Sequence, residues 1–225
     1  MGTRSSKPPD LPRNSERLTA EWRKILNSSF HKHAQENKKQ FRHLLGKGIP
    51  QQIRWEVWVA ALHPMSHRQI GNYMSSSCIG SVAGSSLFLG FTSYGECKDH
   101  RSGFERQIEK DVERTLRGNL DASQQAALFR VLNAYAVYNP HVGYCQGLNS
   151  VAGIVLLVSG SEEETFKALV CLLNRQGLSG LYSDGLPLMK WLSRTCDQCL
   201  RSIEPSLHKH FEEIELQHDM YCLTC

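Results

Sequence analysis

Apolar residues recur along this chain at three- and four-residue intervals rather than in alternation. Leu18, Trp22, Ile25 and Leu26 fall on one helical face after the cap candidates Asn14 and Ser15. The Lys/His-rich stretch from Phe30 to Gln40 reads as a solvated helix face or a loop. Phe41, Leu44 and Leu45 then run into Gly46-Lys47-Gly48-Ile49-Pro50, a glycine stop followed by a proline. Beyond Pro50, Ile53, Val57, Ala60 and Ala61 predict another helix, flanked by Trp55 and Trp58. Ile108, Val112 and Leu116 share the next face, with Asp111 and Arg114 on a neighbouring one. Asp121 with Gln124 forms a capping-box start for a helix that turns Leu128, Val131, Leu132 and Tyr135 inward and stops at Asn139-Pro140. Val151 to Val158 reads as a core helix, and Ser161 with Glu164 opens one that runs through Leu173. Leu186 to Ile203 and Leu207 to Leu223 supply two more amphipathic segments around Pro187 and Pro205. With no period of two and no βαβ spacing, the predicted fold is all-α.

The periodicity fails twice. Residues 1–14 are Ser/Pro/basic and are expected to form a disordered tail. From about 63 to 104 the chain is Ser/Gly-rich with short apolar islands, which predicts a long variable surface loop with a short strand or turn near Leu87 to Phe91. That loop has no Gly-x-x-x-x-Gly-Lys, so a phosphate cradle is a weak reading. Residues 15–225 are then one domain interrupted by this insertion.

Composition narrows the function classes. At 225 residues and 40% hydrophobic, the chain supports one substantial core or two small ones. The net charge of +4 is mild and its cations are scattered among acids, which argues against nucleic acid or a membrane surface as partner. The apolar run Val151 to Val158 is too short to span a bilayer. Without a secretory signal, eight cysteines read as reduced thiols and the expected location is cytoplasmic.

Two groups stand out chemically: Arg114 in Ile108-x-x-Asp111-x-x-Arg114, and Gln146 in Tyr144-Cys145-Gln146-Gly147. Neither holds a useful proton equilibrium near neutral pH, so they are not an acid/base pair. They can stabilise charge and position a water, the division of labour in GTP hydrolysis. Blander roles stand beside this one. Asp111 and Arg114 have the spacing of an ordinary exposed helix pair, and Gln146 could satisfy a backbone group in a turn.

The succession LLGKGIPQQIRWEVW, IEKDVERTLR and VLNAYAVYNPHVGYCQGLNSVAG, followed by a helical half, resembles the TBC domain of Rab GTPase-activating proteins. The specificity lies in several motifs in the right order, over roughly Glu16 to the end. The resemblance implies a multi-helix TBC fold and activation of GTP hydrolysis in a GTP-bound Rab-family small GTPase, in vesicle trafficking at endomembranes. It matches Arg114 to an arginine finger and Gln146 to a glutamine finger, both supplied in trans. Asp111 would brace the arginine-bearing helix, Arg54 would be the other structural charge near the site, and Tyr144, Gly147 and Asn149 would fix the turn behind Gln146. Leu116 keeps an apolar anchor where the family commonly has an aromatic residue and a proline. The chain itself would hold no cofactor, GTP and Mg²⁺ arriving in the partner's pocket. Further helices normally follow MYCLTC in the family, so the C-terminal part of the domain is expected to be incomplete. A non-catalytic GTPase-binding or scaffold module is the alternative reading.

One signal lies outside this resemblance. Cys196-x-x-Cys199 and Cys222-x-x-Cys225, with His208, His210 and His218 between them, mimic a zinc ribbon. The gap between the pairs is long and no glycine knuckle follows either. WLSRTCDQCLRSI reads instead as a helix with both thiols on or near its buried side. A zinc-stabilised helical adaptor is therefore the rival, and core or partly buried thiols with no resident metal are the expectation.

Overall fold

The computed structural model describes residues 13–62 and 93–216, and among them are eleven α-helices and no strand. Helix α1 (Arg13–Leu26) buries Trp22, Ile25 and Leu26, as their spacing predicts. It starts inside the expected tail 1–14, whose remainder lies outside the described residues. The polar stretch after it is two short helices, α2 (Phe30–Glu36) and α3 (Lys38–Gly46). Two aromatic residues give them an inner side: Phe41 meets Phe30 and Trp22 edge-on, with ring centroids 5.5 and 5.8 Å apart. Helix α4 (Gln51–Leu62) closes this first core with Ile53, Val57, Val59 and Ala60, while Ala61, expected inside, is exposed.

The second core is built around α7 (Ala122–Tyr138), which is flanked by α5 (Tyr94–Cys97), α6 (Glu105–Arg114), α8 (Leu148–Ser159) and α9 (Glu162–Val170). Its inward face carries Leu128, Val131, Leu132 and Tyr135 as predicted, and Ala134, Ala136, Val137 and Tyr138 are buried too. A helix end that is apolar all round must be covered on several sides, which makes α7 central. The Asp121/Gln124 capping box forms in both directions. Helix α9 continues into a π-helical turn, Cys171–Arg175, and a 3-10 turn, Leu178–Leu181. The two cores meet where α4 lies against α8. There the Leu62 carbonyl accepts from the Cys171 thiol at 3.3 Å and the Gln176 amide at 3.4 Å.

Residues 63–92, including the predicted strand or turn near Leu87, lie outside the described residues. The rest of the predicted loop contains α5, started by a capping box between Ser93 and Glu96. Tyr94 packs on Phe166 and donates to the Glu162 carboxylate, which also takes two bonds from Arg130 at 2.6 and 2.9 Å. One carboxylate thus ties α5, α7 and α9 together.

Helices α10 (Pro187–Ile203) and α11 (Pro205–Glu213) pack on each other, and α10 also packs on the 3-10 turn. Here the sequence-based expectation fails. No residue of α10 is buried, and Cys196 and Cys199 are exposed rather than inward. An amphipathic helix buries its stripe only where a partner covers it, and these two neighbours cover too little of α10. Trp191 is 60% exposed, with Leu192, Ile203 and Leu207 open beside it.

Candidate functional site

Helix α6 sets one half of the site. Ile108 and Val112 lock its inner face into the second core, so Asp111, one residue before Val112, is drawn in as well and is only 3% exposed. Arg114 is the last helical residue. Thr115 leaves the helix in an extended conformation and Leu116 takes a left-handed one, φ 45°. That conformation costs a non-glycine residue about 1–2 kcal/mol, and the Leu116 side chain offsets it by packing on the core. Gly153 of α8 faces this exit so closely that a methyl group there would meet Thr115 Cγ2 at 3.0 Å. The absence of a side chain lets α8 approach the end of α6.

The turn from Tyr144 to Asn149 sets the other half. Gly147 caps α8 with φ 101°, a region open to glycine. Its N–H donates to Asn149 Oδ1 at 2.9 Å, while Asn149 Nδ2 donates to Thr115 Oγ1 at 2.7 Å. Thr115 Oγ1 in turn donates to the Asp111 carbonyl at 2.6 Å. On the side-chain level Tyr144 donates its hydroxyl to Asp111 Oδ2 at 2.7 Å, and Arg114 donates to Asp111 Oδ1 at 2.5 Å. Asp111, Thr115, Tyr144 and Asn149 are all buried. Two segments more than 30 residues apart are thus joined through one buried polar network.

Arg114, at the edge of this network, and Gln146, beyond it, are both exposed. The Arg114 side chain is 49% exposed and uses a single N–H on Asp111. Gln146 is exposed, and its side chain has no hydrogen-bond partner among the described residues. Burial pushes the Tyr144 phenol well above the ordinary tyrosine range, and the bond to Asp111 and its charge push further the same way. Burial, then Asp111, raises the Cys145 thiol too. Neither group ionises at neutral pH, so beside them the exposed Arg114 offers a cation and the exposed Gln146 an amide dipole.

Arg54 does not join this network among the described residues. Its guanidinium donates to the Ile49 carbonyl at 3.0 and 3.3 Å and closes the turn between α3 and α4. Of the zinc candidates, Cys222, Cys225 and His218 lie outside the described residues. His208 is occupied by Asp197 at 2.9 Å and Glu212 at 3.6 Å. Among the described residues no three His, Cys, Asp or Glu side chains are grouped to hold a metal. Thr115 was not singled out in the sequence, although a threonine four residues after Asp111 has the spacing for the back-bond it makes.

The described residues thus form an all-α domain that buries an Asp-Tyr-Asn-Thr network and leaves an arginine and a glutamine exposed beside it. Residues 51–225 match the family model of the Rab-GTPase-TBC domain, and the chain belongs to that family. It is similar to TBC1 domain family member 2A of Rattus norvegicus, 31% identical over 176 residues, which are 76% of this chain and 17% of that protein. It is also similar to Rab GTPase-activating protein eat-17 of Caenorhabditis elegans, 28% identical over 79% of this chain and 18% of that protein. The chain therefore spans less than a fifth of these curated relatives. In fold it is similar to the crystal structure of the Ypt/Rab-GAP domain of Gyp1p, with a TM-score of 0.64 at 18% identity over 91% of this chain and 70% of that one. No helix among the described residues is long and apolar enough to cross a membrane.

Proposed function

We propose that this chain activates GTP hydrolysis in a Rab-type small GTPase by lending Arg114 and Gln146 to the partner's nucleotide pocket. The observation that carries the reading is the shared anchor of the two groups. Asp111 and Asn149 tie the end of α6 to the Gln146 turn through Thr115 and Tyr144, and both candidate fingers are exposed beside that anchor. The relative named Rab GTPase-activating protein eat-17 supports the partner class.

In this mechanism the guanidinium of Arg114 leaves Asp111 for the equatorial oxygens of the transferring phosphoryl group, where charge spreads in the transition state. Asp111 keeps the base of the arginine fixed during that exchange, because Tyr144 still holds its other oxygen. The Gln146 side-chain carbonyl accepts a hydrogen bond from the attacking water and its amide N–H donates toward the phosphoryl oxygen, which orients the water without taking up charge. Mg²⁺ and GTP belong to the partner. Preorganisation matters because such electrostatic stabilisation acts only on groups already aimed at the developing charge.

A second reading, a GTPase-binding module without catalysis, draws on the Asp111–Arg114 ion pair, which holds the guanidinium on its own helix. Single-turnover hydrolysis by a panel of GTP-loaded Rab proteins separates the two. Acceleration by the wild type that disappears in Arg114→Ala supports the activator. Binding without acceleration, from a folded chain, supports the module.

A further inference from the structure

We propose that Tyr182 is a positioning residue for Gln146, its ring holding the Gln146–Gly147 peptide in the orientation that projects the glutamine outward. The proposal rests on the reading above that Gln146 acts on a partner. The exposed Gln146 side chain has no protein partner among the described residues, so its direction is inherited from the backbone beneath it. On one side that backbone is fixed by the Gly147 N–H on Asn149. On the other side stands Tyr182: a methyl group on Gly147 would meet Tyr182 Cε1 at 3.8 Å, ordinary contact distance. The ring therefore stands about one methyl group away from the flank of Gly147 that carries no side chain and limits how far the peptide can turn toward it. It also neighbours Cys145, whose charge adds to the burial that raises the Tyr182 phenol.

Tyr182 is itself held. It follows the 3-10 turn, with its N–H donating to the Ser179 carbonyl at 2.9 Å, and its ring packs on the second core. Ser183 Oγ donates to the same carbonyl at 2.8 Å. The turn lies close against the start of α10, where a methyl on Gly180 would come within 2.9 Å of Leu188 Cβ. A rigid path thus runs from α10 through Gly180 and Tyr182 to Gly147. Its covering group is a flat ring, which resists rotation of the adjoining peptide more than a flexible chain would.

The test uses the full chain and a GTP-loaded Rab-type GTPase that the wild type accelerates. Tyr182→Ala is expected to lower the saturating rate by about 10-fold, within the ~10²-fold that a 1 Å misplacement costs. The half-saturating concentration should stay near wild type and Tyr182→Phe should keep the full rate. In a Gln146→Ala background, Tyr182→Ala should cost nothing further. A loss of equal size in that background, or a loss in Tyr182→Phe equal to that in Tyr182→Ala, overturns the proposal. Amide hydrogen exchange gives a readout independent of catalysis: Tyr182→Ala should speed exchange at 146–148 and leave α6 unchanged. Unchanged exchange at 146–148 also overturns it. If the wild type accelerates no GTPase, the activator reading fails while exchange still decides the role of Tyr182. Should Tyr182→Ala unfold, Tyr182→Leu retains apolar cover without a ring and carries the same expectations.

Discussion

Asn149, in the first turn of α8, donates a 2.7 Å hydrogen bond to Thr115 at the end of α6, 34 residues earlier in the chain, with both side chains buried. Its other atom, Oδ1, takes the Gly147 N–H. One amide therefore sets the distance between the base of Arg114 and the base of Gln146. Asn149→Ala leaves the buried Thr115 hydroxyl and the half-buried Gly147 N–H without it, at about 1–3 kcal/mol. A lower urea midpoint at unchanged m is expected, with activation falling further than binding of the GTP-loaded partner. Wild-type stability in this variant would show that water replaces the amide.

Arg114→Ala removes a half-exposed side chain whose one bond is an i,i+3 pair. Its loss should change stability by less than about 1 kcal/mol while reducing activation by about 10³–10⁵. Circular dichroism melts beside single-turnover rates check both parts. An unfolded Arg114→Ala would make the residue structural and remove it from the site.

Tyr144→Phe leaves Asp111 Oδ2 without its buried donor. A loss of about 1–3 kcal/mol is expected, read by denaturant titration. The raised phenol of Tyr144 gives a second check: the native protein should keep this tyrosine protonated past pH ~10, where ordinary tyrosines ionise. A native phenolate absorbance at pH ~11 that drops by one tyrosine in Tyr144→Phe would contradict the burial.

Arg130 first, through its hydrogen bond, and then Tyr94 hold the Glu162 carboxyl below the ordinary range. A depressed carboxylate adds stability that is present above the unfolded value, about 4.3, and is lost as pH falls through the folded value. Wild type should therefore lose stability between pH 5 and pH 3 faster than Glu162→Gln, with the two converging at the acid end. Parallel curves for the two proteins would place the acid sensitivity elsewhere.

Cys196 and Cys199 are exposed on α10, whereas Cys97 and Cys171 are buried. Burial, with the charge of Glu96, pushes the Cys97 thiol up to about 11. Alkylation of the native protein followed by peptide mapping should label Cys196 and Cys199 within the time that Cys97 and Cys171 stay unmodified. Protection of Cys196 and Cys199 that a chelator abolishes would instead reveal a metal.

Much of this protein can be read along the chain alone. Helices, their caps and their inward faces follow from period and local chemistry, as Leu128 to Tyr135 and the Asp121/Gln124 box illustrate. The motifs around Arg114 and Gln146 are likewise local, and their order identifies the family. Misreadings arise where burial depends on a neighbour the pattern does not name. Cys196 and Cys199 sit on an amphipathic helix whose stripe is left open, whereas the polar stretch at 30–40 takes the helical one of its two expected forms, with Phe30 and Phe41 turned toward Trp22. Arg54 belongs to the Ile49 turn, since a guanidinium serves whichever carbonyl the fold brings within reach. That Arg114 and Gln146 emerge from one network was decided by tertiary structure alone. Thr115 and Asn149 meet across a distance in sequence over which no periodicity carries information, and only the packing of α8 on α6 brings them together.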